Sequence, residues 1–310
     1  MAHRSAHIVT AIVLVLLATV APSLIGCSGD PNQPEVPMSS LDLLPPDAGG
    51  VQYAVPRNPE LTDSAFYGYL VYLPDGMDQS PVPYPLLVFL HGSGERGDSY
   101  TTPGALFSVM GNGPPMLIAG HRWQSPHPMI VVSPQCHTSS WQADDLRLFL
   151  EWMADRYPID RQRIYLTGLS MGGYGTWSYL GTYGATTDDP LPIAAAAPVC
   201  GGGDPGLAAG AVTTPVWAFH GTSDAVVPPS GSVELVKALG ALDPSQPPRL
   251  TLYHGVGHDS WSGTYDGARL GEGLAQYPED PAVEPWLVPY APGLLEWMLE
   301  QTAAKNQVYR

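Results

Sequence analysis

Apolar residues gather along this chain in short runs of two kinds. Runs that are apolar at nearly every position and rich in β-branched or aromatic residues occur at 66–73, 86–90, 129–133, 163–167, 193–199, 216–220 and 250–254. Continuous apolarity over so short a length predicts strands covered on both faces. Between them lie segments with a helical period. Leu146, Phe149, Leu150 and Met153 fall at i, i+3, i+4 and i+7, which predicts a helix over 142–157, with Leu148 and Trp152 broadening its buried stripe. Further helices are predicted over 171–183, 230–239 and 291–303, the first despite its glycines, which close packing tolerates. Strand and helix in alternation imply right-handed crossovers and a mostly parallel sheet with helices on both faces. In such a sheet reactive groups collect at the carboxyl ends of the strands.

The ends of this pattern set the domain boundaries. Residues 28–60 are rich in Pro, Ser, Asp and Gly without either period and read as a flexible tether, leaving 61–310 as the folded domain. Arg4, the apolar run 8–20 and the small residues before Cys27 read as a secretory signal; an uncleaved membrane anchor is the alternative, since 8–26 is nearly long enough to span a bilayer. The ending Leu24-Ile25-Gly26-Cys27 resembles the lipobox of bacterial lipoproteins, which implies cleavage before Cys27 and its acylation, and Ser28 resembles the outer-membrane sorting type. The expected location is therefore exported, with a lipid anchor as the only membrane contact. Charge supports this. Lys+Arg 13 against Asp+Glu 29 gives a formal charge of -16, which repels nucleic acid phosphates and anionic lipid surfaces.

One stretch fits GxSxG: Gly168-Leu169-Ser170-Met171-Gly172, after a predicted strand and before a predicted helix. That is the context a nucleophile elbow needs, because small flanking residues permit the sharp turn that exposes the serine hydroxyl. A serine hydroxyl near neutral pH requires a base, itself oriented by a carboxylate. Asp224 follows the predicted strand 216–220, and His258 follows the predicted strand 250–254. Asp204 competes for the acid's place but lies one strand too early. His220 and His254 compete for the base's place, yet the first stands at a strand end ahead of the acid and the second within a strand. His254 and His258 also imitate a metal pair, but two intervening glycines oppose the helix such a pair needs, so no metal is expected.

HGSGERG at 91–97 contains GxGxxG, the phosphate-cradling fingerprint of dinucleotide sites. That reading requires a long helix after Gly97, and 98–115 is broken by Pro103, Gly104, Gly111, Gly113 and Pro114. The alternative is an oxyanion hole, built from the N–H of Met171 and one from this loop, by position Ser93, with Gly94 beside it. Glu95 and Arg96 then brace the loop by a mutual or nearby ion pair.

These stretches, with VVSPQC, APVCGGGD, PVWAFHGTSDAVVP and GVGHDSW, resemble the α/β-hydrolase superfamily, and more narrowly the bacterial predicted peptidases and the polyhydroxybutyrate-depolymerase-like and feruloyl-type carboxylesterases. The resemblance implies ester hydrolysis, less often amide hydrolysis, through an acyl-enzyme on Ser170, with His258 as base, Asp224 as its orienter and no cofactor. A serine peptidase on the same scaffold and an inactive binding lipoprotein are the rival readings.

Three expectations remain. Cys136 and Cys200 follow the predicted strands 129–133 and 193–199, which the resemblance makes the fourth and sixth of the usual α/β-hydrolase order, roughly 14 Å apart, and this points to free thiols. Trp141 and Trp261 are candidate pocket walls. The segment 262–289 is either a pocket rim or an ordinary loop.

Overall fold

The computed structural model describes residues 49–60, 65–77, 82–186 and 188–304; the signal segment, the lipobox with Cys27 and most of the tether lie outside them. Among the described residues eight strands run β1 Gln52–Val55, β2 Tyr69–Tyr72, β3 Tyr84–Leu90, β4 Ile130–Pro134, β5 Ile159–Leu169, β6 Ile193–Val199, β7 Trp217–Gly221 and β8 Arg249–Tyr253. They form one sheet in the order β1-β2-β4-β3-β5-β6-β7-β8. β1 pairs with β2, and β2 with β4, antiparallel; all pairings from β4 to β8 are parallel. The carboxyl ends of β3 to β8 therefore share one edge of the sheet.

Helices cover both faces, which is why the strands are apolar at successive positions. The helices are α1 Gly113–Ala119, α2 Ala143–Arg156, α3 Met171–Tyr183, α4 Ser230–Gly240, α5 Trp261–Tyr265 and α6 Leu294–Leu299. On β3, Leu86, Val88 and Leu90 join the core that takes in Phe149 of α2, Trp177 of α3 and Val236 of α4. Leu87 and Phe89 point the other way, to the core that takes in Ile118 of α1 and Trp297 of α6. The predicted stripe Leu146, Phe149, Leu150 and Met153 is buried on α2, but Leu148 is 55% exposed and does not broaden it.

Two departures from the sequence pattern occur at the sheet's edges. Residues 52–55, read as tether, form the edge strand β1, fully buried along its length. At the opposite edge the segment after α5 lies against β8: Leu274 N–H donates to Leu252 O at 3.0 Å and Val288 N–H to Leu250 O at 2.9 Å. This cover satisfies backbone groups that an open edge strand would present to other chains. Of the segment 262–289, Leu274 and Val288 thus tie its later part to the sheet edge, while Tyr265, Asp266, Gly267 and Leu270 in its earlier part line a separate cavity of about 380 Å³.

Cys136 and Cys200 are both buried free thiols, separated in the sheet by β3 and β5. A fragment lacking residues 1–27 is expected to show two titratable thiols in denaturant without reductant and neither when folded. A denatured fragment with no reactive thiol would contradict the strand order.

Candidate active site

Ser170 lies between β5 and α3 at φ 52°, ψ -115°. A non-glycine residue rarely adopts that region, and it persists only where the surroundings enforce it. Here the N–H of Ser170 donates to Val199 O on β6 at 2.9 Å and stands 3.3 Å from Cys200 Sγ. α3 is pulled tight onto the strands because Gly172 has no Cβ: one built there would run into Leu90 O, and one at Gly173 would stand 2.7 Å from Val199 O. The glycines, poor helix formers in themselves, are what let this helix approach and aim the serine outward.

Ser170 Oγ is 2.9 Å from His258 Nε2, and His258 Nδ1 is 2.7 Å from Asp224 Oδ2. With Nδ1–H donating to the carboxylate, Nε2 is left to accept the serine proton. The structure thus brings together the three residues, from the ends of β5, β7 and β8, that the chain order singles out. Burial opposes the charge of Asp224, but hydrogen bonds from His258 and from the N–H groups of Val227 and Val226, the latter two to Oδ1 at 2.9 and 2.8 Å, outweigh it. Its pKa is held below the ordinary carboxylate value.

The rival residues fall elsewhere. Asp204 caps the 3-10 segment Pro205–Ala211 through Gly206 N–H. His254 is exposed just past the end of β8 rather than within it. His220 is different: it is fully buried behind the acid, with Nε2 2.9 Å from Val227 O and 3.2 Å from Asp224 Oδ2, and Nδ1 2.8 Å from Ser232 Oγ. Burial lowers its pKa against the pull of Val227 and Asp224, so a neutral ring with its proton on Nε2 supports the carboxylate from behind. Sequence reasoning weighed His220 only as a competing base; its place four residues before the acid was the signal that it could brace it.

The HGSGERG loop turns beside Ser170. Ser93 opens the 3-10 segment Ser93–Glu95 and Met171 opens α3, so neither N–H has a carbonyl one turn back to bond. His91 is buried as a neutral ring, Nδ1 2.6 Å from Gly92 O and Nε2 accepting from Cys136 N–H at 2.9 Å, and burial pushes its pKa down to about 4. Of the expected mutual or nearby ion pair, Glu95 and Arg96 do not pair with each other, and the nearby contact, Glu95 Oε2 to His91 Nδ1 at 4.0 Å, is to a neutral ring. Arg96 Nε donates to Ser93 O at 3.0 Å, while the buried Glu95 carboxylate accepts from Asn112 Nδ2. The Glu95 backbone carbonyl accepts from Ser108 Oγ and Gln135 Nε2.

Beside Ser170 opens a cleft of about 410 Å³ lined by Ser140, Trp141, Met171, Tyr174, Gly202 and Leu207, with no charged side chain. Trp141 is therefore a wall, as expected. Trp261 is not; it stands edge-to-face against His258, ring centres 5.2 Å apart.

This topology, with a strained serine after β5, an acid after β7 and a histidine after β8, decides the architecture. The chain has the α/β-hydrolase fold. No family model and no curated protein matches its sequence. Among solved structures it is similar to a thermostable esterase, 30% identical with a TM-score of 0.54, over 81% of this chain and 63% of that one. It thus spans about 63% of that esterase's length. An acetyl xylan esterase from Aspergillus awamori is 16% identical with a TM-score of 0.46, over 70% of this chain and 98% of that one. A carboxylesterase from Lactobacillus plantarum is 18% identical with a TM-score of 0.44, over 70% and 86%.

His220→Ala is expected to remain folded while losing about 1–3 kcal/mol of stability, from the polar groups it leaves unpaired, and on the order of tenfold in turnover. Unchanged turnover in a folded variant would show that Asp224 is held without it. A second expectation concerns pH. His91 is neutral in the folded protein down to about 4 but titrates near 6.5 once unfolded, so the unfolded chain binds the extra proton between these values. Stability should fall as pH drops through that window, and denaturant titrations at pH 7 and 4.5 giving equal free energies would contradict this burial.

Proposed function

We propose that this protein is a serine hydrolase that cleaves carboxylic esters through an acyl-enzyme, exported and held to the membrane by a lipid on Cys27. The observation that carries the catalytic part is the hydrogen-bonded series Ser170 Oγ, His258 Nε2, His258 Nδ1 and Asp224 Oδ2, at 2.9 and 2.7 Å, beside an uncharged cleft. The likeness to a thermostable esterase agrees with it. Export and anchoring rest on the signal-like residues 1–27 alone.

As Ser170 Oγ attacks the ester carbonyl, its proton passes to His258 Nε2, and the imidazolium formed is balanced by Asp224. The carbonyl oxygen gains negative charge and is met by the N–H groups of Ser93 and Met171, both left unbonded by their helical positions. Collapse of the tetrahedral intermediate breaks the bond to the alcohol oxygen, which takes the proton from His258. Water then repeats the sequence, releasing the acid and restoring Ser170. The apolar walls Trp141, Tyr174 and Leu207 suit an uncharged acyl or alkyl group, and none of the cleft's side chains carries a charge to hold a peptide terminus.

Esters should therefore be cleaved far faster than peptides, because an amide nitrogen must be protonated in a geometry that dedicated peptide subsites enforce. The test compares kcat/KM for short p-nitrophenyl esters, a feruloyl ester, a polyester oligomer and matched peptide anilides. A peptide anilide turned over as well as the best ester would favour a peptidase. Ser170→Ala should lower kcat by on the order of 10⁴–10⁶ without unfolding the protein. Retention of more than a few per cent of activity would remove Ser170 as nucleophile.

A further inference from the structure

Beyond the groups that perform the reaction, a chain of side chains joins the oxyanion loop to the base. Glu95, buried two residues after the Ser93 amide, accepts from Asn112 Nδ2. Asn112 Oδ1 in turn accepts from Trp261 Nε1 at 2.9 Å. The Trp261 ring stands at 86° to the His258 imidazole, with ring centres 5.2 Å apart. Three separate segments of the chain are thereby tied by side chains alone: the loop after β3, the residue before α1, and the start of α5.

The base needs such a tie. Its two hydrogen bonds, to Asp224 and Ser170, leave the imidazole from Nδ1 and Nε2 at opposite sides of the ring. They restrain its tilt about the line joining them only weakly. A packed aromatic ring at right angles restrains that tilt, provided the aromatic ring is itself fixed. Trp261 is partly exposed and opens only the five-residue helix α5, so its orientation depends on the Nε1–H bond to Asn112. Asn112 in turn has its amide orientation set by Glu95, since the carboxylate requires the NH₂ group and so leaves Oδ1 for Trp261.

We propose that Trp261, oriented by Asn112 and Glu95, is a positioning residue for His258, and that this chain keeps the base and the oxyanion loop in register. It rests on the reading of Ser170, His258 and Asp224 given above. Because the tie acts on the geometry of the attacking and protonating groups rather than on the cleft wall, its loss is read in kcat and not in KM. Because Trp261 and Asn112 act in series, losing both costs little more than losing one.

The experiment measures kcat and KM for a short p-nitrophenyl ester, and the rate of fluorophosphonate labelling, in the full chain and in Trp261→Phe, Trp261→Leu, Asn112→Ala and Trp261→Phe/Asn112→Ala. Ser170→Ala serves as the blank. Trp261→Phe and Asn112→Ala are each expected to lower kcat and labelling on the order of tenfold with KM within about twofold, Trp261→Leu to lower them further, and the double variant to match its poorer parent. Multiplicative losses in the double variant, a change confined to KM, or unchanged kcat in folded variants would overturn the proposal. If a Trp261 variant does not fold, Asn112→Ala carries the same expectation, judged by kcat against KM. A wild-type chain without esterase activity, or an active Ser170→Ala, would instead overturn the catalytic reading itself.

Discussion

The backbone turn at Ser170 is the constraint on which the rest of the site depends. At φ 52°, ψ -115° it costs on the order of 1–3 kcal/mol relative to relaxed backbone, and that cost must be met by neighbours that over-determine it. The neighbours are β6, whose Val199 carbonyl accepts the Ser170 N–H, and α3, whose glycines let the helix lie against Leu90 and Val199. The same approach leaves the Met171 amide unbonded next to the hydroxyl. A strained residue, a tightly seated helix and an open N–H donor are thus one arrangement, fixed before any substrate arrives.

Around that turn the charges are arranged economically. Asp224 is buried yet stays ionised below the ordinary carboxylate range because His258 and two backbone N–H groups donate to it. The two other buried histidines nearby are kept neutral by their burial, so neither competes with His258 for the acid's charge: His91 stiffens the loop after β3 through Gly92 and Cys136, and His220 supports the acid from behind. Side chains outside the reacting set therefore hold each reacting group from a second direction.

Much of this was legible in the sequence where a residue pattern maps onto local physics. β6 and α3 fall at the predicted residues, because a fully apolar run and a GxSxG turn leave few alternatives. The elements that were not legible obey other rules. β1 is four residues beside a proline-rich stretch, and its burial comes from pairing with β2 rather than from any period of its own. α1 contains Pro114, which reads as a breaker, followed by Pro115, but both occupy the first turn, where a missing N–H costs nothing. The predicted helix over 291–303 shortens to Leu294–Leu299 behind Pro292 and Gly293. Within the site, Ser170, Asp224 and His258 could be picked out from chain order, whereas the partners of Glu95 could not. Asn112 and Trp261 are 149 positions apart, and only the tertiary fold makes them neighbours.

The central claim is that Ser170 is made nucleophilic by His258 in this geometry, and covalent trapping tests it most directly. The full chain is treated with a fluorophosphonate at neutral pH, digested, and mapped by mass spectrometry, alongside a folded His258→Gln variant. The account predicts a single adduct on Ser170, formed far more slowly in the variant. An adduct on another residue, or equal labelling of Ser170 with and without His258, would contradict it.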